Sequence, residues 1–293
     1  MSGDDAVTSV TLAQLPPRDW QAAAEELRTQ GVVRLDGALS AAALWEVEAA
    51  MEHSFANPSP GAVHFYADEA ARFFQDTGKS YIPLVRRIGL DAMVEALWGE
   101  PRIWYMGEQL FLKDGGHSRR TPWHQDTSYL RMRGEQLIAC WITLDPLPKH
   151  HSLEFVRGSH HGVLYNGSAF SPRDDTARLY KNSPLPRLPD IQGNRGAFDI
   201  VSWDLVPGDI VVFHLGILHG GAGTEPGMRR RTASLRFMGP DVVYDGRVRD
   251  HDGAEAGNDA ALAGVYEQLE DGQPFHTLNQ FSRIERPVQR DQL

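Results

Sequence analysis

The sequence predicts an α+β protein, helix-rich in its first third and built afterwards from short strands of the sandwich or jelly-roll kind. Two observations carry this. Near Ile103 the apolar spacing changes from a helical to a strand-like period, and turn-forming residues divide everything beyond into short runs. Element by element, the proline-bearing start Leu15-Pro16-Pro17 is followed by Asp19 to Gln30, where Trp20, Ala23, Ala24 and Leu27 share one helical face and Gly31 ends it. Val32-Val33-Arg34-Leu35 reads as a short strand. Ser40 caps a second helix to about Phe55, and Tyr81 to Trp98 reads as a third, closed by Gly99. Strand-like runs follow at Ile103 to Leu112, Gln136 to Leu144, Leu153 to Val156, Asp209 to Leu215 and Thr232 to Met238. The stretch from about Ser171 to Ala197, rich in Pro, Arg and Asp, is long for a passive connection and reads as a lid or binding loop. A polar tail carries one short helical candidate, Asp259 to Leu269. Residues 1–293 are expected to form one domain: helix-rich 1–102, a β core over about 103–240 and a tail over 241–293.

Composition narrows the function classes. The hydrophobic fraction of 41% suffices for a sizeable core, while a net charge of -10 offers no basic footprint for nucleic acid or an anionic membrane face. A small-molecule substrate is the expected partner; monomer and homodimer both remain open. The single cysteine, Cys140, excludes an intrachain disulfide and a Cys-based zinc cluster. With the acidic start Met1-Ser2-Gly3-Asp4-Asp5 in place of a secretory signal, a cytoplasmic location is expected.

The chemistry concentrates in two places. Thr121-Pro122-Trp123-His124-Gln125-Asp126 sets His124 and Asp126 two apart, so that on an extended strand both side chains would point to one face. Downstream, Val206-Pro207-Gly208-Asp209 turns into an apolar strand that ends at Leu218-His219-Gly220-Gly221, which can bring a third imidazole to the same point. Two imidazoles and one carboxylate leave half an octahedron open, as iron(II) needs in order to bind a co-substrate and dioxygen together. Each piece has an ordinary alternative: H-x-D arises easily by chance, and a His beside two glycines can be a plain loop residue. The following strand strengthens the reading. In Arg229 to Phe237, residues Arg230, Thr232, Ser234 and Arg236 share one face and Arg231, Ala233, Leu235 and Phe237 the other. An inward Arg can clamp a dicarboxylate with its planar fork, although an edge strand kept soluble by Arg has the same pattern.

On these residues the region from about Gly107 to Gly239 resembles the phytanoyl-CoA dioxygenase family of iron(II)/2-oxoglutarate oxygenases. The family motif is H-x-D, then a distant His followed eleven residues later by an Arg, and His124, Asp126, His219 and Arg230 match it residue by residue. Leu110-Phe111-Leu112-Lys113, Cys140-Trp141-Ile142-Thr143-Leu144-Asp145 and Gly158-Ser159-His160 extend the likeness. The resemblance implies a double-stranded β-helix (cupin-like jelly-roll) core with the N-terminal helices packed on it. It implies iron(II) on His124, Asp126 and His219, with 2-oxoglutarate and O2 as co-substrates. It further implies that Arg230 holds the far carboxylate of 2-oxoglutarate and that Lys113, Gln125, Trp141 and Ser234 line its pocket.

Two points qualify the match. Lys149-His150-His151-Ser152-Leu153-Glu154 replaces the Glu-Asn-Gly-like turn of many members, so this turn can differ in shape, while His150 and His151 read as surface residues. Asp126 is retained, which disfavours the halogenating branch, where a small residue leaves room for halide. The expected reaction is hydroxylation of an unactivated C–H bond in a small, carboxylate-bearing metabolite. Arg86, Arg87, Arg119, Arg120, Arg131 and Arg133 are candidates for an acid-binding rim, and Tyr66, Phe73, Phe74, Tyr129 and Tyr165 for an apolar wall. The competing classes are a metal-dependent cupin enzyme that does not use 2-oxoglutarate and a catalytically silent jelly-roll binding module.

Overall fold

Capping chemistry sets the helices. Asp19 accepts from the Ala22 N–H at 2.9 Å and opens α1 (Trp20–Gln30), which ends where Gly31 turns to φ 77°. After β1 (Val32–Leu35), the Ser40 hydroxyl accepts from Ala43 and opens α2 (Ala41–Ala56). The single helix expected over 81–98 is instead two, α3 (Ile82–Arg87) and α4 (Leu90–Trp98). The break lies at Gly89, with φ 75°, where an added Cβ would come within 2.8 Å of Val10. The N-terminal segment packs into that break, Val10 N–H donating to the Arg86 carbonyl.

The structure, a computed structural model, describes residues 10–59, 62–68, 71–76, 80–114, 116–171, 173–221, 223–248, 266 and 269–285, without the side chains of 63–68 and 71. The helix expected over 259–269 lies outside them except for Tyr266 and Leu269. A hairpin that the sequence reading passed over, β2 (Val63–Asp68) and β3 (Ala71–Asp76), enters the sheet within the helix-rich third. Beyond it run β4 (Trp104–Asp114), β5 (Thr121–His124), a single helical turn α5 (Thr127–Leu130), β6 (Met132–Arg133), β7 (Leu137–Thr143) and β8 (Leu153–Val156). Then come β9 (Ile200–Val201), β10 (Ile210–His214), β11 (His219–Gly221), β12 (Arg229–Met238), β13 (Val243–Tyr244) and β14 (Ser282–Arg283).

Among the described residues these strands form a large antiparallel sheet, in the order β1-β10-β7-β12-β4-β3-β2 with β14 also on β4, and a smaller sheet β5-β11-β8-β9. Both faces of the large sheet are covered, which explains why β7 and β10 read as continuous apolar runs. Alternate residues Leu110, Ile138, Cys140, Ile142, Leu235 and Phe237 pack with Leu27, Val47, Met51, Val85, Met93 and Leu97 of the helices. The intervening set, including Ala139, Trp141, Val211 and Phe213, packs toward Phe155 of the small sheet. This is the jelly-roll core with helices on its outer face. Each fully buried Leu, Ile, Val or Phe contributes about 1.5–3 kcal/mol, so both layers are needed to hold the large sheet.

Two buried acids, Asp76 and Glu108, lie opposite each other on the helix-facing side of β3 and β4. Glu108 is fully buried and accepts from the Tyr105 hydroxyl at 2.5 Å, while its other oxygen has no hydrogen-bond partner. Burial, with the nearby charge of Asp76, raises its pKa to about 8 despite the Tyr105 bond.

Gly89→Ala is expected to destabilise by about 1–2 kcal/mol through its left-handed backbone alone, and by more if Val10 cannot move, as read by urea unfolding. Because the Glu108 pKa is raised on folding, its favourable contribution is complete below the ordinary carboxylate range and is lost as pH rises through about 8. Glu108→Gln is therefore expected to flatten the decline in unfolding free energy between about pH 4.5 and 8, measured by denaturant titration across that range.

Candidate metal centre

The pairing of β5 with β11 places His124 directly opposite His219, with ring centroids 4.2 Å apart. Glycines permit this approach: a Cβ at Gly220 would lie 3.0 Å from the Thr121 carbonyl, and one at Gly221 3.0 Å from Leu153. Each imidazole is oriented from behind. His124 Nδ1 lies 2.8 Å from the Pro122 carbonyl and His219 Nδ1 3.0 Å from that of Ile217. A carbonyl only accepts, so in this geometry each Nδ1 carries the proton and each Nε2 presents a lone pair. Both Nε2 atoms face Asp126 Oδ1, at 3.4 and 3.9 Å. One ligand atom from each of the three residues lies within 4.8 Å of the others.

Asp126 reaches this point by a different route from the one its spacing suggests. Strand β5 stops at His124, and Asp126 has helical backbone angles of φ -62° and ψ -32°, just ahead of α5. The shared-strand argument for H-x-D therefore fails in detail. A turn, held by the Leu130 N–H on the Asp126 carbonyl and the Thr127 N–H on that of Leu215, swings the carboxylate under both rings.

The electrostatics suit a divalent cation. Burial between Phe155 and Phe213 is the largest influence on His219 and, with the neighbouring His124, pulls its pKa down to about 4, so it is neutral near pH 7. Burial alone would raise the Asp126 pKa, but at the acid pH where it titrates the His124 bond and the then-protonated His219 outweigh burial and bring it to about 2. Two imidazoles and one carboxylate converging on one point match the facial donor set of iron(II).

The large sheet supplies the opposite wall. Arg230 is buried on the inward face of β12, directly across from Lys113 of β4, itself buried. Arg230 donates to the His151 carbonyl at 2.9 Å, and burial lowers its pKa to about 10. Further along the same face Ser234 stands opposite Trp141 of β7. His151 is thus more than the surface residue expected, since its half-buried turn steadies Arg230.

Other expectations need correction. The Gln125 amide donates to the carbonyls of Gly216 and Val163 and accepts from Tyr165 N–H, so this side chain ties loops together. Phe74 lies on the helix side against Phe55, whereas Phe73 faces inward on Phe111. The Tyr66 side chain lies outside the described residues. Tyr129 meets His124 edge-on, 5.9 Å between centroids, and Tyr165 packs with the Trp123 cluster. The arginine rim is largely taken up within the chain: Arg87 pairs with Glu46, Arg119 with Asp175, Arg120 with Glu154 and Arg133 with Asp271. Arg131 lies over the Tyr266 ring.

One residue near the site has no sequence signal, and another is placed by strand alternation without any assigned role. Phe170, at a φ of 50° unusual for a bulky residue, sets its ring 5.5 Å from His124. Arg119 holds this loop by donating to the Phe170 and Ser171 carbonyls. Inside the barrel, Arg236 is buried on the same inward row as Arg230. Neither carries a motif. The segment over 171–197 is irregular but anchored, with Tyr180, Leu185, Leu188 and Ile191 buried.

Comparison with known proteins places this geometry in a family. A model of the phytanoyl-CoA dioxygenase (PhyH) family matches residues 27–232. The peroxisomal phytanoyl-CoA dioxygenase of Homo sapiens is 27% identical over 157 residues, 52% of this chain and 44% of the human protein, so the match spans less than half of that relative. Among solved structures, the non-haem α-ketoglutarate-dependent carbocyclase SnoK of nogalamycin biosynthesis superposes with a TM-score of 0.65 at 18% identity, covering 94% of this chain and 99% of that one. The epimerase SnoN, in complex with Fe3+, α-ketoglutarate and nogalamycin RO, gives 0.62 at 19% identity, covering 91% and 98%. At these identities the likeness is one of fold, and it agrees with the jelly-roll core described above. The family match runs over most of the chain and includes each residue of the proposed donor set, and on that basis the chain belongs to the phytanoyl-CoA dioxygenase family.

Proposed function

We propose that the protein is an iron(II)- and 2-oxoglutarate-dependent oxygenase that hydroxylates a C–H bond of a small, carboxylate-bearing metabolite and releases succinate and CO2. The observation that supports it most is the pairing, across one barrel, of three converging donors, two on the small sheet and one on the turn after β5, with the adjacent cations Arg230 and Lys113 on the large sheet. A metal-only enzyme has no need of the second feature, and a silent binding module has no need of either. In this reading residues 1–293 act as one domain.

His124, Asp126 and His219 would hold iron(II), whose role is to activate O2 with oxidative decarboxylation of 2-oxoglutarate. The chain supplies position and dryness. Arg230, with Lys113 beside it, binds the distal carboxylate of the co-substrate, and Trp141 and Ser234 line its path. Tyr129 and Phe170 shield the His124 side from water. Hydroxylation requires only a C–H bond held toward the metal. Ring closure or epimerisation, the outcomes in the names of SnoK and SnoN, also requires a group that traps the radical or returns hydrogen to it. The Tyr129 phenol beside His124 is engaged with the Ser168 carbonyl at 3.0 Å, which favours simple hydroxylation. No helix among the described residues is long and apolar enough to cross a membrane.

Anaerobic titration of the iron-loaded protein with 2-oxoglutarate is expected to produce a visible metal-to-ligand charge-transfer band. His219→Ala should abolish it through lost iron. Arg230→Ala should keep iron but weaken 2-oxoglutarate on the order of 30-fold or more, the scale of about 2–5 kcal/mol for losing one partner of a buried charge pair. Iron bound without any band would return the protein to the metal-only or silent classes. In turnover, both His124→Ala and Arg230→Ala should suppress succinate release; product formation by Arg230→Ala at the native rate would remove 2-oxoglutarate from the mechanism.

A further inference from the structure

Arg236 is the least explained charge in the molecule. It is 4% exposed, its Nε is buried without a hydrogen-bond partner, and among the described residues its guanidinium makes no hydrogen bond or ion pair. A buried guanidinium that makes no hydrogen bond is unfavourable, and a carboxylate ligand would satisfy it. The cross-strand neighbours on its face are Gly107 of β4 and Ala139 of β7, which offer neither bulk nor a side-chain acceptor.

The acids around it do not fill the role. Asp126 is near enough for the two charges to stabilise each other, yet its carboxylate faces His124 and His219 and is one of the three candidate metal donors. Glu108 points to the helix layer, and its raised pKa leaves it mostly protonated at pH 7. Arg230 stands six residues away on the same strand, roughly 20 Å at the backbone. The two guanidinium groups therefore cannot fork the same carboxylate.

We propose that Arg236 is the anchor for the carboxylate of the primary substrate, holding it inside the barrel beside the metal, apart from the co-substrate carboxylate on Arg230. The inference rests on the oxygenase reading and moves substrate recognition from the ion-paired surface arginines to this buried one. A bidentate guanidinium–carboxylate pair, sealed from water, would fix where the rest of the substrate lies relative to the metal. Arg236 here is a specificity-determining residue, distinct from the metal donors and from the co-substrate clamp.

The test uses the full chain loaded anaerobically with iron(II) and 2-oxoglutarate, with acetate and benzoate as probes and acetamide and benzamide as neutral controls at matched ionic strength. In the native complex at least one carboxylate should perturb the charge-transfer band and raise the thermal unfolding midpoint, while neither amide does. In Arg236→Met the response should weaken at least tenfold, with the iron and 2-oxoglutarate affinities within about threefold of native. Arg236→Lys should retain part of the carboxylate response and confirm that the site is intact. A native complex indifferent to both carboxylates, or an Arg236→Met variant that still responds, would overturn the proposal. Loss of iron or of 2-oxoglutarate in Arg236→Met would also overturn it, by reassigning Arg236 to positioning Asp126 or to the co-substrate. Absence of the band in native protein would instead be a failure of the oxygenase reading itself.

Discussion

Strand β12 has no freedom of register, and the site depends on that. It lies between β7 and β4, with one face on the helix layer and the other on the barrel interior. Ala233, Leu235 and Phe237 fill the helix-side core, which turns Arg230, Thr232, Ser234 and Arg236 inward by necessity. Arg231, the charged residue of the outward row that lies against the helices, is satisfied there by Asp145 at 2.9 Å and by Glu48 of α2. A slip by one residue would drive two arginines into the helix layer and present leucine and phenylalanine to the metal. The apolar packing of one face is thus what aims the polar chemistry of the other.

The small sheet obeys a similar logic on a shorter length. Gly220 and Gly221 bring β11 close to β5 and β8, and the register of that approach sets His219 opposite His124. The backbone then chooses the tautomers, since in both residues the carbonyl two positions earlier holds Nδ1. No side chain is needed to orient either ring. The aromatic enclosure of His219 keeps it neutral, the form in which it can donate a lone pair.

Loops complete the enclosure. Gln125, adjacent to two candidate donors, fastens the chain at 163, 165 and 216 through its amide, so the turn that carries Asp126 and the covering loops form one hydrogen-bonded unit. Asn166 and Tyr180 continue it, the Asn166 amide pairing with both the carbonyl and the N–H of Tyr180. The strained backbone at Phe170 is held by Arg119, which relates that arginine to the shape of the site's edge and not to a free acid-binding rim.

The sequence by itself determined the fold class, the strand-rich core beyond Ile103 and the candidate donors, because hydrophobic period, capping residues and motif spacing are local properties. His124, Asp126, His219 and Arg230 were legible for that reason. What only the tertiary structure decided depends on contacts distant in sequence. The helix over 81–98 breaks because Val10 packs against Gly89. The hairpin at 63–76 pairs with β4, a partner that its own residues do not announce. Asp126 reaches the metal point from a turn instead of a strand, and Gln125 binds loops nearly forty residues away. Arg236 is the clearest case: alternation placed it on the inward row, but its isolation follows from glycine and alanine on the two neighbouring strands, and only the sheet brings those beside it.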